Sequence, residues 1–273
     1  MNSLVRAYRW LNILSLDIVA GAIICAIFFA RVFNVIILPY GLVSLGLTVW
    51  VIYTADHLLD ASKLRTAAST SRHRFHQQHF GTLLVAALLA AVVDGLQLFY
   101  IRRSVFVGGI VLASIVVVYF FVQRRLTFLK ESFGAILYAG GVLLIPVSLK
   151  ETDLSFVHGV VALQFFLIAL TNLLLFSLFD YAPDQRDNHN SLARAFGERK
   201  TRVVIRALFV INVFLAIFQF VSYPKLVFPE IIFVGMNAVL VIIFVNKHYF
   251  EREDRYRLVG DAIFLIPLFY ILT

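Results

Sequence analysis

Apolar segments of about 20 residues recur along almost the whole chain, and this repetition constrains the fold more than any other feature. Each segment is long enough to cross the hydrocarbon core of a bilayer as one helix. Hydrophobic residues make up 61% of the chain and charged residues 15%, whereas a soluble domain carries about a quarter charged residues. The sequence therefore predicts an all-α, polytopic membrane protein.

We predict nine transmembrane helices within a single domain that covers residues 1–273. Their approximate bounds are 11–32, 35–58, 80–100, 104–122, 131–149, 156–180, 202–221, 226–246 and 257–272. Short turns join the first two spans near Asn34 and the seventh and eighth spans near Pro224. The single cysteine, Cys25, lies within the first span, so an internal disulfide is excluded.

The Lys and Arg residues between the predicted spans set the orientation of the chain. One side carries Arg31, Arg102, Arg103, Lys150 and Lys225, and the rest of the 24 basic residues lie on the other side. Since basic loops are retained in the cytoplasm, we predict an inner-membrane or plasma-membrane protein with a cytoplasmic N-terminus. The chain has a net charge of +8, but its basic residues lie next to the ends of the predicted spans and not on a soluble basic face. We therefore predict no nucleic-acid partner.

Two pairs of aspartates stand at the ends of apolar spans, on the side predicted to be cytoplasmic. Asp56 and Asp60 lie in the stretch YTADHLLDASK, at the end of the second span. Asp180 and Asp184 lie in LFSLFDYAPDQRDNHN, at the end of the sixth span. A spacing of four places two carboxylates about 5–6 Å apart on a helix face. The repulsion within each pair is on the order of 3 kcal/mol, so protons or cations must neutralise the cluster.

Magnesium and a diphosphate together explain this placement. Mg²⁺ prefers oxygen ligands, and it binds through one or two carboxylates together with water and substrate phosphates. Basic residues follow both acidic pairs, and we predict that they bind the diphosphate: Lys63, Arg72, Arg74 and Arg194. The alternative interpretations are solvated aspartates at helix ends and loops that are basic only because they are cytoplasmic.

The two DxxxD motifs, placed after the second and sixth of nine spans, resemble those of the UbiA superfamily of intramembrane prenyltransferases. The family pattern DxxxDRKxGxKTLPxxxGxxxA is similar to the second motif, in which Ser191-Leu192 and Gly197-Glu198-Arg199-Lys200 follow at matching positions. Asn188 stands at the family's usual Gly. The chain departs from the pattern at Ile52 and Asn190, where the family usually has Asn and Lys, and matches its Arg-Pro loosely at Arg74-Phe75.

The resemblance implies a helical bundle around a central cavity, with Mg²⁺ held by Asp56, Asp60, Asp180 and Asp184. The substrates that it implies are an isoprenyl diphosphate, which ionises to an allylic carbocation, and an aromatic or other lipophilic acceptor that captures the cation. Membrane lipids would surround the bundle, and the oligomeric state stays open. The residues that we expect to line the substrate cavity are Tyr53, His57, Asn172 and Asp187.

Three alternatives remain beside the prenyltransferase. A terpene cyclase would share the fold, but a double bond of the substrate itself would capture the cation. A non-catalytic lipid-binding relative would retain the bundle without the reaction. An ion-coupled transporter would use carboxylates inside the spans, of which Asp17 and Asp94 are the candidates.

Overall fold

The computed structural model describes residues 3–62, 70–122, 129–151, 153–187 and 190–273, and these residues form helices joined by short turns. The helices in chain order are α1 (Ser3–Ile13), α2 (Leu16–Val32), α3 (Pro39–Ser62), α4 (Ser71–Gln78), α5 (Phe80–Gln97), α6 (Arg103–Val122), α7 (Lys130–Leu149), α8 (Phe156–Phe179), α9 (Tyr181–Asp187), α10 (Leu192–Phe196), α11 (Glu198–Ser222), α12 (Val227–Val245), α13 (Lys247–Glu251), α14 (Arg255–Ala262) and α15 (Leu268–Leu272). The all-α prediction is confirmed.

Seven of the described helices are long and apolar enough to cross a membrane, namely α3, α5, α6, α7, α8, α11 and α12. An eighth candidate is the pair of α1 and α2, which is bent by 83° at the break between Ile13 and Leu16. Each of these spans overlaps a predicted one. The thickness of the bilayer sets the length of a span, so the apolar runs in the sequence mark the spans. The chain is therefore an integral membrane protein.

The ninth predicted span, 257–272, has a different form from the other eight. It consists of α14, a 3₁₀ turn at Ile263–Leu265 and α15, which follows Pro267. Proline lacks the amide hydrogen that a continuous helix requires, so a break near Pro267 is expected. The segment nevertheless packs inside the bundle, since Ile263 and Phe264 are buried.

The long helices α2, α3, α7 and α8 alternate in direction, which gives the bundle two distinct ends. We call one the motif end, where α3 and α8 finish and α7 begins, because Lys130 contacts Asp60 there. At the opposite end, Lys150 donates to the carbonyl of Phe33 and the ring of Phe33 packs on His158. The position of a side chain along its helix therefore gives its depth in the bundle.

The core is built around α8, most of whose residues are buried. Aromatic side chains from α2, α8 and α12 pack edge to face at the centre. Phe29 lies 5.0 Å from Phe165, and Phe28 lies 5.5 Å from Phe233, between ring centroids. By contrast, α5 and α6 expose apolar side chains such as Leu89 and Val118, as helices that face lipid do.

Candidate functional site

A cavity of about 270 Å³ lies between α2, α3, α6, α7, α8 and α14. Its walls along the inner part of the bundle are apolar, and they include Leu45, Val49, Leu112, Val116, Phe176 and Phe264. Its charged residues lie toward the motif end. Along α3, the wall extends from Leu45 to Asp60, which is about 22 Å of helix. The cavity therefore has the shape and polarity to hold a charged head and an apolar chain.

All four aspartates of the two DxxxD motifs line this cavity. Asp56 and Asp60 are carried by the last turns of α3. Asp180 follows the last residue of α8, and Asp184 lies one turn later in α9. The amide of Asp184 donates to the carbonyl of Asp180 at 2.8 Å, so the second pair retains helical spacing across the break. The structure thus brings together two motifs that are far apart in the sequence.

Two basic residues that the sequence analysis did not select neutralise part of this acidic cluster. Lys130 Nζ lies 3.1 Å from a carboxylate oxygen of Asp60. Arg257 forms an ion pair with Asp180, and Tyr256 donates a hydrogen bond to the same carboxylate. Lys130 begins α7 and Arg257 lies in α14, so each cation reaches the motifs from a different helix.

The pKa of Asp184 is shifted by its burial and by its neighbours in the acidic cluster. Burial, and after it the negative charge of the nearby Asp180, raise the pKa of its carboxyl to about 7. The neutral form of an acid is favoured wherever charge is poorly solvated or faces like charge. A bound cation would have the opposite effect, since it favours the carboxylate.

The start of α10 is fixed to the bundle by two hydrogen bonds from its backbone. The amide of Leu192 donates to a carboxylate oxygen of Glu131 at 2.8 Å. The amide of Ala193 donates to Ser177 Oγ at 3.0 Å. These contacts hold Ser191, which also lines the cavity, beside the second motif.

Arg72, predicted to bind a diphosphate, is buried in the cavity wall. Its Nη2 donates to Asn12 Oδ1 at 2.8 Å and lies 3.4 Å from a carboxylate oxygen of Asp261. Asn12 in turn donates to Asp17 at 2.6 Å and to Asp261 at 2.9 Å. This network joins α1, α2, α4 and α14 at the motif end.

The remaining predicted residues divide into two groups. Tyr53, His57 and Asn172 line the cavity as expected. Arg74, Asp187 and Arg194 are not among the described residues that line it, and Lys63 and Asn188 lie outside the described residues. Within the chain's described parts, no group of three or more His, Cys, Asp or Glu side chains is placed to hold one metal ion.

The two carboxylates considered for ion transport take part in local hydrogen bonds. Asp94 accepts from Ser44 and from Thr48, both at 2.6 Å, between α3 and α5. Asp17 accepts from Asn12. Neither residue is among those that line the cavity.

The fold and the cavity together define an integral membrane protein with acidic and basic residues at one end of an apolar chamber. The chain has the fold of a UbiA homolog from Archaeoglobus fulgidus. The structure of that homolog bound to GPP and Mg²⁺ gives a TM-score of 0.66 at 14% identity, covering 97% of this chain and 99% of that one. Its structure bound to DMAPP and Mg²⁺ gives a TM-score of 0.64 at 13% identity, with the same coverage of both chains.

A third structure of the same homolog gives a TM-score of 0.65 at 16% identity and covers 96% of both chains. No protein-family model and no curated protein sequence matches the chain. The similarity is thus one of fold over nearly the whole length, with few identical residues.

Proposed function

We propose that this chain is a distant member of the UbiA superfamily and a Mg²⁺-dependent prenyltransferase. Its substrates would be an isoprenyl diphosphate and a lipophilic acceptor in the membrane. The observation that carries the proposal is the meeting of Asp56, Asp60, Asp180 and Asp184 at the charged end of one apolar cavity. The fold adds support, since the homolog that shares it was solved with DMAPP or GPP and Mg²⁺.

The donor chemistry at the motif end fits magnesium. The ligands that we assign to it are Asp56, Asp60, Asp180 and Asp184, and their oxygens are the hard donors that Mg²⁺ prefers. When bound, the ion would supply neutralisation of the charge that develops on a departing diphosphate. Because Mg²⁺ usually takes one or two carboxylates from a protein, phosphate oxygens of the substrate would complete its coordination.

The basic residues of the site would bind the diphosphate directly. Lys130 and Arg257 line the cavity beside Asp60 and Asp180, so small movements of these side chains would bring them onto phosphate oxygens. Arginine is suited to phosphate because its planar fork donates two parallel hydrogen bonds. Arg72 would bind the diphosphate from the cavity wall, where Asn12 and Asp261 hold its guanidinium group.

The apolar chamber would hold the prenyl chain and protect the carbocation. Apolar walls exclude water, which would otherwise capture the cation. Phe120, Phe176 and Phe264 are among the aromatic residues of the wall, and aromatic faces stabilise a passing cation. We place the motif end on the cytoplasmic side, because most basic residues between the spans lie there.

The experiment is an assay of diphosphate release by the purified protein in detergent. The protein would be incubated with DMAPP, GPP and longer isoprenyl diphosphates, with Mg²⁺ or with a chelator, in the presence of a membrane lipid extract. Asp56→Asn and Asp184→Asn should each lower the Mg²⁺-dependent rate by at least about 100-fold, because they remove ligands of the charge-neutralising ion. Asp153→Asn is the matched control, since Asp153 is exposed near the opposite end.

Mass spectrometry of the products then separates the remaining alternatives. A prenylated lipid from the extract supports the transferase, and a cyclised hydrocarbon or alcohol from the diphosphate alone indicates a terpene cyclase. Full turnover by both Asp variants, or no diphosphate release by the wild type with any chain length, would refute the proposal.

A further inference from the structure

A second set of buried polar side chains lies outside the cavity, between α8, α11 and α12. Each of these helices contributes two polar residues that are seven positions apart on one face. None of the six is among the described residues that line the cavity. They are at most 6% exposed: Gln164 and Thr171 on α8, Asn212 and Gln219 on α11, and Glu230 and Asn237 on α12.

The helix directions sort these residues into two layers. The hairpin of α11 and α12 turns at Pro224–Leu226, so Gln219 near the end of α11 and Glu230 near the start of α12 lie at similar depth. Gln164 joins this outer layer, since it contacts Glu230. Seven residues correspond to about 10 Å of helix, which places Thr171, Asn212 and Asn237 in an inner layer nearer the motif end.

The inner layer contains no charged group. The amide oxygens of Asn212 and Asn237 are buried without a hydrogen-bond partner among the described residues, but two side chains of the layer bond to carbonyls of their own helices. Thr171 Oγ1 donates to Leu167 O at 2.7 Å, and Asn212 Nδ2 donates to Leu208 O at 3.0 Å. Such groups stabilise helix contacts without needing a ligand.

The outer layer differs because it contains a carboxyl group with too few donors around it. Gln164 Nε2 donates to Glu230 Oε2 at 2.8 Å. The other oxygen of Glu230, the amide oxygen of Gln164 and both polar atoms of Gln219 are buried with no hydrogen-bond partner among the described residues. A buried polar group without a partner costs about 1–3 kcal/mol, so the layer is incomplete as a structural network.

We propose that Gln164, Gln219 and Glu230 form a binding site for one monovalent metal cation, for which Na⁺ is the probe. One carboxylate and two amide oxygens are the hard donors that such a cation takes. A single positive charge balances Glu230, whereas a divalent ion would leave an uncompensated charge in a medium of low dielectric constant. Glu230 lies in the first turn of α12, close to the end of the bundle, so a cation has a short path to it. The proposal does not depend on the prenyltransferase activity.

The test measures the melting temperature and sodium binding of the purified protein in detergent at about pH 8. Ionic strength is kept constant with N-methyl-D-glucamine chloride while Na⁺ is raised from about 1 to 200 mM. The wild type should melt about 2–4 °C higher at the top of this range, because a ligand that binds only the folded state stabilises it. Equilibrium binding of radiolabelled Na⁺ should reach about one ion per chain.

Two variants locate the effect. Glu230→Gln keeps the shape of the side chain and the contact with Gln164, and it should lose both the Na⁺-dependent shift and the bound sodium. Thr171→Val, in the inner layer, should retain both, although its baseline melting temperature changes. If Glu230→Gln does not fold, Gln219→Leu serves in its place and should weaken sodium binding by at least about tenfold, or about 1.4 kcal/mol.

Several results would overturn the proposal. One is a wild type whose melting temperature is the same in Na⁺ and in N-methyl-D-glucamine, with no bound sodium, which would mean that water alone fills the layer. Another is stability that rises on acidification and ignores Na⁺, which would mean that Glu230 binds a proton. A third is a Na⁺ response that persists in Glu230→Gln.

Discussion

At the scale of single residues, the ion pair between Asp180 and Arg257 positions charged groups in the cavity. Asp180 is 8% exposed and Arg257 15% exposed as side chains, and Tyr256 donates to the same carboxylate. A buried pair of this kind contributes little net stability compared with apolar residues, but removal of one partner leaves a costly unpaired charge. The pair therefore holds the second motif in place and keeps a cation beside it.

Arg257→Gln should lower the free energy of unfolding by about 3 kcal/mol, because Asp180 would stay buried without its cation. Equilibrium unfolding in mixed detergent and SDS micelles measures this change. Arg102→Gln is the matched control, since Arg102 and its partner Glu151 are 62% and 89% exposed and such pairs contribute about 0–1 kcal/mol. Equal losses in the two variants would show that the Asp180 pair is not a buried one.

The sequence marks the acidic residues that line the cavity more clearly than the basic ones. The DxxxD spacing is a local signal, so Asp56, Asp60, Asp180 and Asp184 were found from the sequence. The partners Lys130 and Arg257 lie 70 and 77 residues away along the chain from the carboxylates that they contact, and no local pattern marks them.

The pairing of charges also depends on the fold. Asp261 and Arg257 are four residues apart in the sequence, which is about one turn of a helix. In the structure Asp261 lies 3.4 Å from Arg72, while Arg257 turns to Asp180. A carboxylate on an exposed helix takes the nearest cation, whereas a buried one takes the cation that the packing brings to it.

At the scale of elements, the close approach of α14 to α8 determines the shape of the cavity. A methyl group added at Gly260 would lie 2.6 Å from Asn172 Oδ1 and 2.6 Å from Phe176 Cε1. Both of these residues line the cavity. Gly260 therefore allows the last segment of the chain to close one side of the chamber.

Gly260→Ala should lower the free energy of unfolding by about 1–3 kcal/mol, since overpacking forces neighbouring side chains or helices to move. The matched control is Gly235→Ala in α12, where the added methyl group would meet nothing within 4 Å. That change should be neutral or stabilising by up to about 1 kcal/mol, because alanine favours a helix. Thermal unfolding in one detergent compares the two, and equal effects would contradict the close contact.

The elements themselves were the most predictable part of the molecule. A membrane span must satisfy its backbone hydrogen bonds internally, so an apolar run of sufficient length has one available structure. The exceptions are two segments that do not form one continuous helix. The bend of 83° between α1 and α2 and the interrupted segment from α14 to α15 both lie at the ends of the chain, where polar contacts at the motif end or Pro267 shape the backbone.

At the scale of the whole molecule, the two ends of the bundle differ in charge and in chemistry. The motif end carries the acidic pairs, Lys130, Arg257 and most of the basic residues between the spans. The opposite end carries the sparse basic residues and, near α12, the polar layer around Glu230. A diphosphate made in the cytoplasm would reach the cavity only if the motif end faces that compartment.

Labelling of single introduced cysteines tests this orientation in intact cells. The native Cys25 is fully buried, so the wild type should give no signal with a membrane-impermeant maleimide and serves as the control. Ala195→Cys places an exposed thiol at the motif end, and Asp153→Cys places one at the opposite end. Since basic loops stay in the cytoplasm, Asp153→Cys should label from outside and Ala195→Cys only after the membrane is permeabilised. The reverse pattern would put the acidic cavity on the outer face, where a cytoplasmic diphosphate has no access, and both the orientation and the proposed supply of substrate would then be wrong.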